Sequence, residues 1–474
     1  MIAPAAEGFQ ADFLLVSGDG WVDHPSFGAA VIARVLEAEG FQVGYLSQPD
    51  WRKPLTGIAR PRLAALVTSG NLDSMVAHYT AAKKRRNSDY YTPGGTAGKR
   101  PDRAVIVYTG LIKAAFPHLP VILGGLEASL RRFAHYDYWE DGVRRSVLFD
   151  SGADALVYGM GERAVRELAD RLRKGISLYD GKNPVRGVCF LADTPPEGAF
   201  CLLPSFEEVT ADRRAYAKAT TREYREHDPV RGRALVQPHG KKVLVCTPPA
   251  APLTSAELDT VAEYPYTRSP DPAYTEEVPA IEEVRFSLIH NRGCFGACHF
   301  CSLAFHQGRF ISARSHESLL REARAIAKLP DFKGYIHDVG GPTANFRHPA
   351  CRKQAVKGAC ADRQCLTPTP CPNLDPSHDD FLRLLRELRG IEGIKKVFVR
   401  SGIRYDYWLL DRNGKGLEEI ASHHISGQLK IAPEHCADNV LDLMGKPRFG
   451  VYKAFVRRYE EANQKAGKKQ FLVP

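Results

Sequence analysis

Three cysteines in the run Cys294-Phe-Gly-Ala-Cys298-His-Phe-Cys301 are spaced so that one loop can wrap three thiolates around an iron–sulfur cube. A [4Fe–4S] cube held at three corners keeps its fourth iron open to a small molecule, and chemistry can start at that iron. Gly293 and Gly296 leave the backbone free to bend around such a group. A zinc site completed by His299 or His306 is a competing reading, and buried structural cysteines are another. The residues before the loop favour the cube. Val284 to His290 alternates and branches as a buried strand does, and Asn291-Arg292-Gly293 then turns the chain outward.

A second group, Cys351, Cys360, Cys365 and Cys371, follows in a stretch rich in Pro, Lys and Arg. Four thiols so close together suit a second iron–sulfur cluster or a structural zinc. Their irregular spacing decides neither, and free surface thiols are the alternative. Of the eleven cysteines in the chain, seven lie between Cys294 and Cys371, a clustering that in a reducing cytosol favours metal ligation over disulfides. Cys189, Cys201, Cys246 and Cys436 stand apart and are expected to serve packing.

These loops need a scaffold, and 474 residues suffice for two or three domains, with 44% hydrophobic residues to fill their cores. No stretch approaches a membrane span, and the amino end, Met-Ile-Ala-Pro-Ala-Ala-Glu, lacks the charged and apolar regions of a signal peptide, so a soluble cytoplasmic protein without membrane contact is expected. The net charge of +10 is compatible with an anionic partner, as is the basic and aromatic insertion Lys83-Lys-Arg-Arg86 with Tyr90-Tyr91. A scattered positive excess is equally common in proteins that bind no nucleic acid, which is therefore not the favoured partner.

From Phe13 onward, apolar runs alternate with helical stretches: Phe13–Val16, Ala64–Val67, Ala104–Tyr108, Val121–Leu123 and Asp154–Tyr158. This rhythm predicts an α/β fold that begins with a doubly wound parallel-sheet domain over 1–205. Gly28 to Glu39 predicts a helix with Val31, Val35 and Leu36 on one face, stopped by Gly40. The charged and proline-rich stretch 206–282 is expected to connect, and the cysteine loop opens a second domain over 283–474. There, strands near Gly334–Asp338, Lys396–Arg400, Gln428–Ala432 and Gln470–Val473 alternate with helices into a partial (β/α) barrel. Ser315 predicts an N-cap for a helix carrying Leu319, Ala323 and Ile326, and Phe381, Leu384, Leu385 and Leu388 mark another that ends at Gly390.

In order along the chain, Gly18-Asp-Gly-Trp-Val-Asp-His-Pro-Ser-Phe-Gly28, Gln48-Pro-Asp-Trp51, Arg100-Pro-Asp-Arg103, the cysteine loop, Asp338 to Phe346 and Lys430-Ile-Ala-Pro-Glu-His435 resemble the YgiQ-type family of radical S-adenosylmethionine (SAM) proteins. That resemblance implies an enzyme that binds a [4Fe–4S] cluster and SAM, draws an electron from a flavodoxin- or ferredoxin-type donor, and cleaves SAM to a 5′-deoxyadenosyl radical that acts on an unidentified substrate. It implies Cys294, Cys298 and Cys301 as cluster ligands and Phe300 as the aromatic beside adenine. Gly340 and Gly341 would face the SAM amino group, although Pro342 stands where the superfamily commonly has a glutamate. Ser401, Arg404 and Glu434 would lie at the same barrel end, Arg404 pairing the methionyl carboxylate and Glu434 the ribose, with structural ion pairing as the alternative. The barrel is one strand short of the family's core, so a chain ending at Pro474 is expected to be incomplete.

The first domain resembles the cobalamin-binding domains found ahead of many radical SAM barrels. Asp23 and His24 are adjacent, however, where the usual Asp-x-His-x-x-Gly signature separates them, so cobalamin is not expected. Two other activities fit parts of the pattern: a non-catalytic iron or redox sensor contacting RNA or protein, and a methylthiotransferase-like modification enzyme.

Overall fold

The computed structural model describes residues 1–179, 183–411 and 414–474. It divides into two compact units, Met1–Ala251 with Tyr264–Glu282, and Pro252–Glu263 with Glu283–Pro474.

The first unit is built on a ten-stranded sheet. Ile2–Pro4, Val43–Ser47, Phe13–Ser17, Ala64–Thr68, Val121–Gly124 and Ala155–Val157 lie side by side in that order, all parallel. Phe13–Ser17 is buried along its whole length, as a strand covered on both faces must be, which explains its unbroken apolar run. The expected helix forms over Gly28–Ala38 and buries Val31, Val35 and Leu36; it is followed by Gly40 at φ 87°, a conformation that suits glycine.

Two expectations need correction. Ala104–Tyr108, expected as a strand, is the start of the helix Ala104–Ala115. A short apolar run does not distinguish strand from buried helix, and here the apolar character continues to Ile112, so that Val105, Tyr108 and Ile112 fall on one buried helical face. The stretch 206–282, expected as a connector, is largely part of the first unit. Ala234–His239 and Lys242–Cys246 form an antiparallel pair, and Lys242–Cys246 joins the sheet through Val188–Ala192. Val188–Ala192 in turn runs antiparallel to Ala155–Val157, so the sheet changes from parallel to mixed at this edge. The charged residues that suggested a connector sit mostly on the helix Arg213–Glu226, whose buried residues are Ala219 and Glu226.

The second unit is a set of parallel strand pairs backed by helices. Ser287–Ile289 pairs with Asp338–Gly340, Tyr335–Ile336 with Lys396–Val397, and Gln428–Lys430 with Phe471–Val473. Val339 N donates to Phe398 O and Val399 N to His424 O, which carries the backbone bonding from one pair toward the next. Ser315 caps the helix His316–Ala327 by accepting from Ser318 N, and Leu319, Ala323 and Ile326 are buried as the spacing predicts. The helix Asp379–Arg389 buries Phe381, Leu384, Leu385 and Leu388 and is capped at Gly390. Their apolar faces meet the strands in one core with Leu288, Val339, Val397 and Leu429. The strands therefore end together on the side where the cysteine loop leaves Ser287–Ile289, which is where a (β/α) barrel carries its site.

Among the described residues, no helix is long and apolar enough to cross a membrane.

Candidate metal centre

The loop after Ser287–Ile289 is fixed at both ends before any ligand is considered. Asn291–Arg292 pairs antiparallel with Ser312–Ala313, Cys294 N donates to Gly308 O, and Gly293 N to the side-chain oxygen of Gln307. Gly293 adopts φ 84°, and a Cβ there would run into Phe310 O, so the turn requires glycine twice over. Phe295 is buried and stacks on Phe346 at a centroid distance of 3.7 Å, with Tyr407 edge-on to both. This aromatic wall anchors the middle of the loop and excludes water behind the cysteines.

Cys294 is buried, whereas Cys298 and Cys301 are half-buried. Burial pushes the Cys301 thiol up, and the nearness of Cys294 and Cys298 pushes it further, as expected of three sulfurs gathered in one loop. Thr343 Oγ1 lies 3.6 Å from Cys294 Sγ. Arg404 Nη1 donates to Cys298 Sγ at 3.2 Å. A Cβ on Gly296 would press on that same guanidinium nitrogen and approach Cys294 Sγ to 3.3 Å, so Gly296 is what lets Arg404 reach the sulfurs.

The rest of the Arg404 guanidinium is bonded within the chain. Its Nε and Nη2 are taken by Asp406 at 2.8 and 2.6 Å, and both side chains are buried. Burial works against the charge, but Asp406 and the Cys298 and Cys294 sulfurs outweigh it and hold the guanidinium charged well above its usual range. The fork expected to grip a ligand carboxylate is thus occupied, and the remaining nitrogen faces a sulfur.

Gly340 ends the strand Asp338–Gly340, and Gly341 follows it. A Cβ at Gly340 would collide with Asp338 and Ser401, and one at Gly341 with Asn291 Oδ1. Asp338 is the residue whose part the sequence did not reveal. Its Oδ1 accepts from Arg400 N at 2.7 Å and from Ser401 N at 3.1 Å, with Ser401 Oγ at 3.4 Å. Burial raises its carboxyl, and the Arg400 and Ser401 amides act against that. Asn291 Oδ1 is buried with no hydrogen-bond partner, an unmet acceptor beside the glycine pair. The signal for both lay in position: Asp338 opens the strand that ends in Gly-Gly, and Asn291 opens the cysteine turn.

Glu434 is exposed and stands 3.7 Å from Lys446 Nζ, which donates to Ala432 O. Ala432 and Glu434 both adopt left-handed backbone, at φ 43° and 73°, a strained conformation for residues with a Cβ. Phe300 is 52% exposed at the rim of the loop, while Phe295 is the aromatic that packs beneath it.

The zinc reading of the first loop would need His299 or His306 as its fourth ligand. His299 points its Nδ1 at Leu443 O, 2.8 Å away, and its amide at Met444 O. Among the described residues, no three His, Cys, Asp or Glu side chains are gathered to hold a single ion. Zinc wants its ligands at about 2.0–2.3 Å from one centre, whereas the thiolates of a cubane bind separate irons and stand further apart. The second group, Cys351, Cys360, Cys365 and Cys371, is half-buried and unpaired by disulfides. Burial pushes the Cys365 thiol up to about 11, with Arg309 opposing and the other three cysteines adding to the rise.

In the first unit, the ends of the parallel strands are packed by the chain's own groups. Gly18 abuts Ser69 O, Gly125 abuts Thr68, and Arg100 is buried between Asp19 at 2.9 Å and Asp89 at 3.0 Å. Burial raises Asp19 to about 6 against the pull of Arg100.

A profile of the radical SAM N-terminal family matches residues 5–287. A UPF0313 protein of Clostridium botulinum is 52% identical over 468 residues, covering 98% of this chain and 73% of the relative. Another, from Clostridium perfringens, is 51% identical over 473 residues, covering 98% of this chain and 71% of the relative. The chain belongs to the UPF0313 family, the YgiQ-type radical SAM proteins.

Two solved structures share the fold at a TM-score of 0.50. One is the radical SAM methyltransferase TsrM of Kitasatospora setae, with cobalamin and a [4Fe–4S] cluster bound, 15% identical and covering 98% of this chain and 66% of that one. The other is the cobalamin-dependent SAM radical enzyme OxsB with aqua-cobalamin bound, 11% identical and covering 98% of this chain and 49% of that one. The expectation against cobalamin therefore finds no support among the structural neighbours, which bind it.

Proposed function

We propose that the protein is a radical SAM enzyme whose Cys294, Cys298 and Cys301 hold a [4Fe–4S] cluster. The observation that carries the reading is the loop itself: three cysteines gathered by one short turn, pinned by Phe295 and approached by a single buried guanidinium. The residues fit an anionic, thiolate-bound group. Arg404 supplies a fixed donor and a compensating charge, and the wall of Phe295, Phe346 and Tyr407 lowers the local dielectric behind it. With the cluster and SAM bound, the site supplies one-electron reductive cleavage of the sulfonium to methionine and a 5′-deoxyadenosyl radical.

The chain's own residues then have to orient SAM and exclude water. Pro342 removes the glutamate that the superfamily commonly places after Gly-Gly, but two other acceptors flank the glycine pair. Asp338 carries a carboxylate beside Gly340, and Asn291 Oδ1 lies unpaired beside Gly341. These suit the SAM ammonium. Ser401, bonded to Asp338, belongs to the same corner, and Glu434, exposed on its strained turn, remains suited to the ribose hydroxyls. Phe300, at the rim, suits the adenine face. Arg404 has its fork on Asp406 and is assigned to the cluster side instead.

The test is anaerobic reconstitution with iron and sulfide, reduction, and incubation with SAM. Release of 5′-deoxyadenosine is expected, and Cys298→Ala abolishes it. A protein carrying its full complement of iron and sulfide that leaves SAM intact when reduced refutes the reading.

A further inference from the structure

We propose that Cys351, Cys360, Cys365 and Cys371 hold a second iron–sulfur cluster, seated against the first cysteine loop. This goes beyond the radical SAM reading and does not depend on it.

The stretch is irregular in sequence but closed in space. Asp375 N donates to Ala350 O at 3.0 Å, joining its two ends, and Cys371 N donates to Cys365 O at 2.9 Å, folding its second half back on itself. Arg309, buried to 4% exposure, reaches in and donates to Cys360 O at 2.9 Å and to Arg363 O at 3.1 Å. Gln354 ties the start of the stretch to Arg309 O and Ala350 N. Cys365 and Cys371 are thereby held in backbone contact, while Cys351 and Cys360 are tied to the same loop through Gln354 N, which donates to Cys351 O at 3.2 Å, and through Arg309.

The chemistry of the surroundings selects the group. Four thiolates around an iron–sulfur cube carry net negative charge, and between Cys351 and Cys371 the chain offers Arg352, Lys353, Lys357 and Arg363 against the single acid Asp362, with Arg309 beneath. Cys365 and Cys371 pack on an apolar cluster that includes Cys294, Phe295, Leu366 and Leu374, the dry wall such clusters take. Gln364 Nε2 donates to Ala297 O at 2.6 Å, so a cluster here lies one hydrogen bond from the loop of Cys294, Cys298 and Cys301.

The experiment counts metals in anaerobically reconstituted protein: iron, acid-labile sulfide and zinc per chain. The wild type is expected to carry about eight irons and eight sulfides, two cubes' worth. Cys294→Ala/Cys298→Ala/Cys301→Ala is expected to retain about four, and so is Cys351→Ser/Cys365→Ser. Failure of SAM cleavage with eight irons present would overturn the radical SAM reading and leave this one standing. A wild type with about four irons, all of them lost in the triple alanine variant, overturns this proposal. So does zinc near one per chain that is lost with Cys365→Ser, or a triple alanine variant that keeps native circular dichroism yet holds no iron.

Discussion

Arg404 is the place where the structure makes its sharpest energetic statement about the site. One nitrogen lies 3.2 Å from Cys298 Sγ, and the other two are locked on Asp406, so the donor cannot swing away when the sulfur changes charge. A charge-assisted hydrogen bond of this kind is worth roughly 1.5–3 kcal/mol. If it is made in full only to the reduced, more negative state, the conversion of about 1.4 kcal/mol and 59 mV per tenfold for one electron gives roughly 65–130 mV. Arg404→Gln, which can still donate to Asp406, is therefore expected to lower the midpoint potential of the cluster by up to that amount. Asp406→Asn removes the opposing negative charge and is expected to raise it by less, because the carboxylate stands behind the guanidinium. Arg404→Ala is the wrong probe, since it strands a buried carboxylate at a cost of roughly 3–5 kcal/mol in stability. The assay is a redox titration of reconstituted protein followed by electron paramagnetic resonance, with iron counted in every sample. Shifts of the same sign in both variants, or no resolvable shift at full iron content, would refute the reasoning.

Two further outcomes follow from close packing and from burial. Gly296→Ala is expected to push Arg404 off Cys298 and crowd Cys294, costing roughly 1–3 kcal/mol in stability and lowering iron retention; unchanged retention and melting would show that the loop has slack. His378, buried against Tyr407 and Trp408 and accepting from Asn345, is lowered by burial to about 3. The unfolded chain takes up this proton below about pH 6.5 and the folded chain does not, so the stability is present in full above that pH and is lost as pH falls toward 3. Between pH 6.5 and 4.5 the wild type is expected to lose roughly 2–3 kcal/mol more than His378→Gln, measured by urea unfolding at each pH. Parallel pH slopes for the two proteins would rule this out.

Much of the scaffold was legible because its signals are local. Val31, Val35 and Leu36 on one helical face, the cap at Ser315 and the stop at Gly390 need only their near neighbours to act, and each appears where the spacing put it. The run Ala104–Tyr108 was not legible, because five apolar residues satisfy a buried strand and a buried helix equally; what decides is the face presented to the rest of the core. The hairpin of Ala234–His239 and Lys242–Cys246 was hidden for a related reason. A highly charged helix precedes it and a proline stretch follows, and composition averaged over the region masks two short strands.

At the site, the sequence by itself determined which atoms could do chemistry: three sulfurs at a fixed spacing, four more beyond them, and the glycines that let the chain bend. Ligand identity is a property of residue type and separation along the chain, and both are written there. What those atoms face is settled by the folded arrangement of the strands and loops. Arg404 is far from Cys298 in sequence and meets it because successive parallel strands deliver their loops to one end of the unit. Whether its fork points at a ligand or at Asp406 depends on a buried pairing two residues away. The same holds for Asp338, bonded to the Arg400 and Ser401 amides, and for Asn291, whose Oδ1 is left without a partner; both crowd their glycine neighbours because strands pack side by side. Burial and electrostatic partnership are sums over the whole fold, and no local pattern carries them.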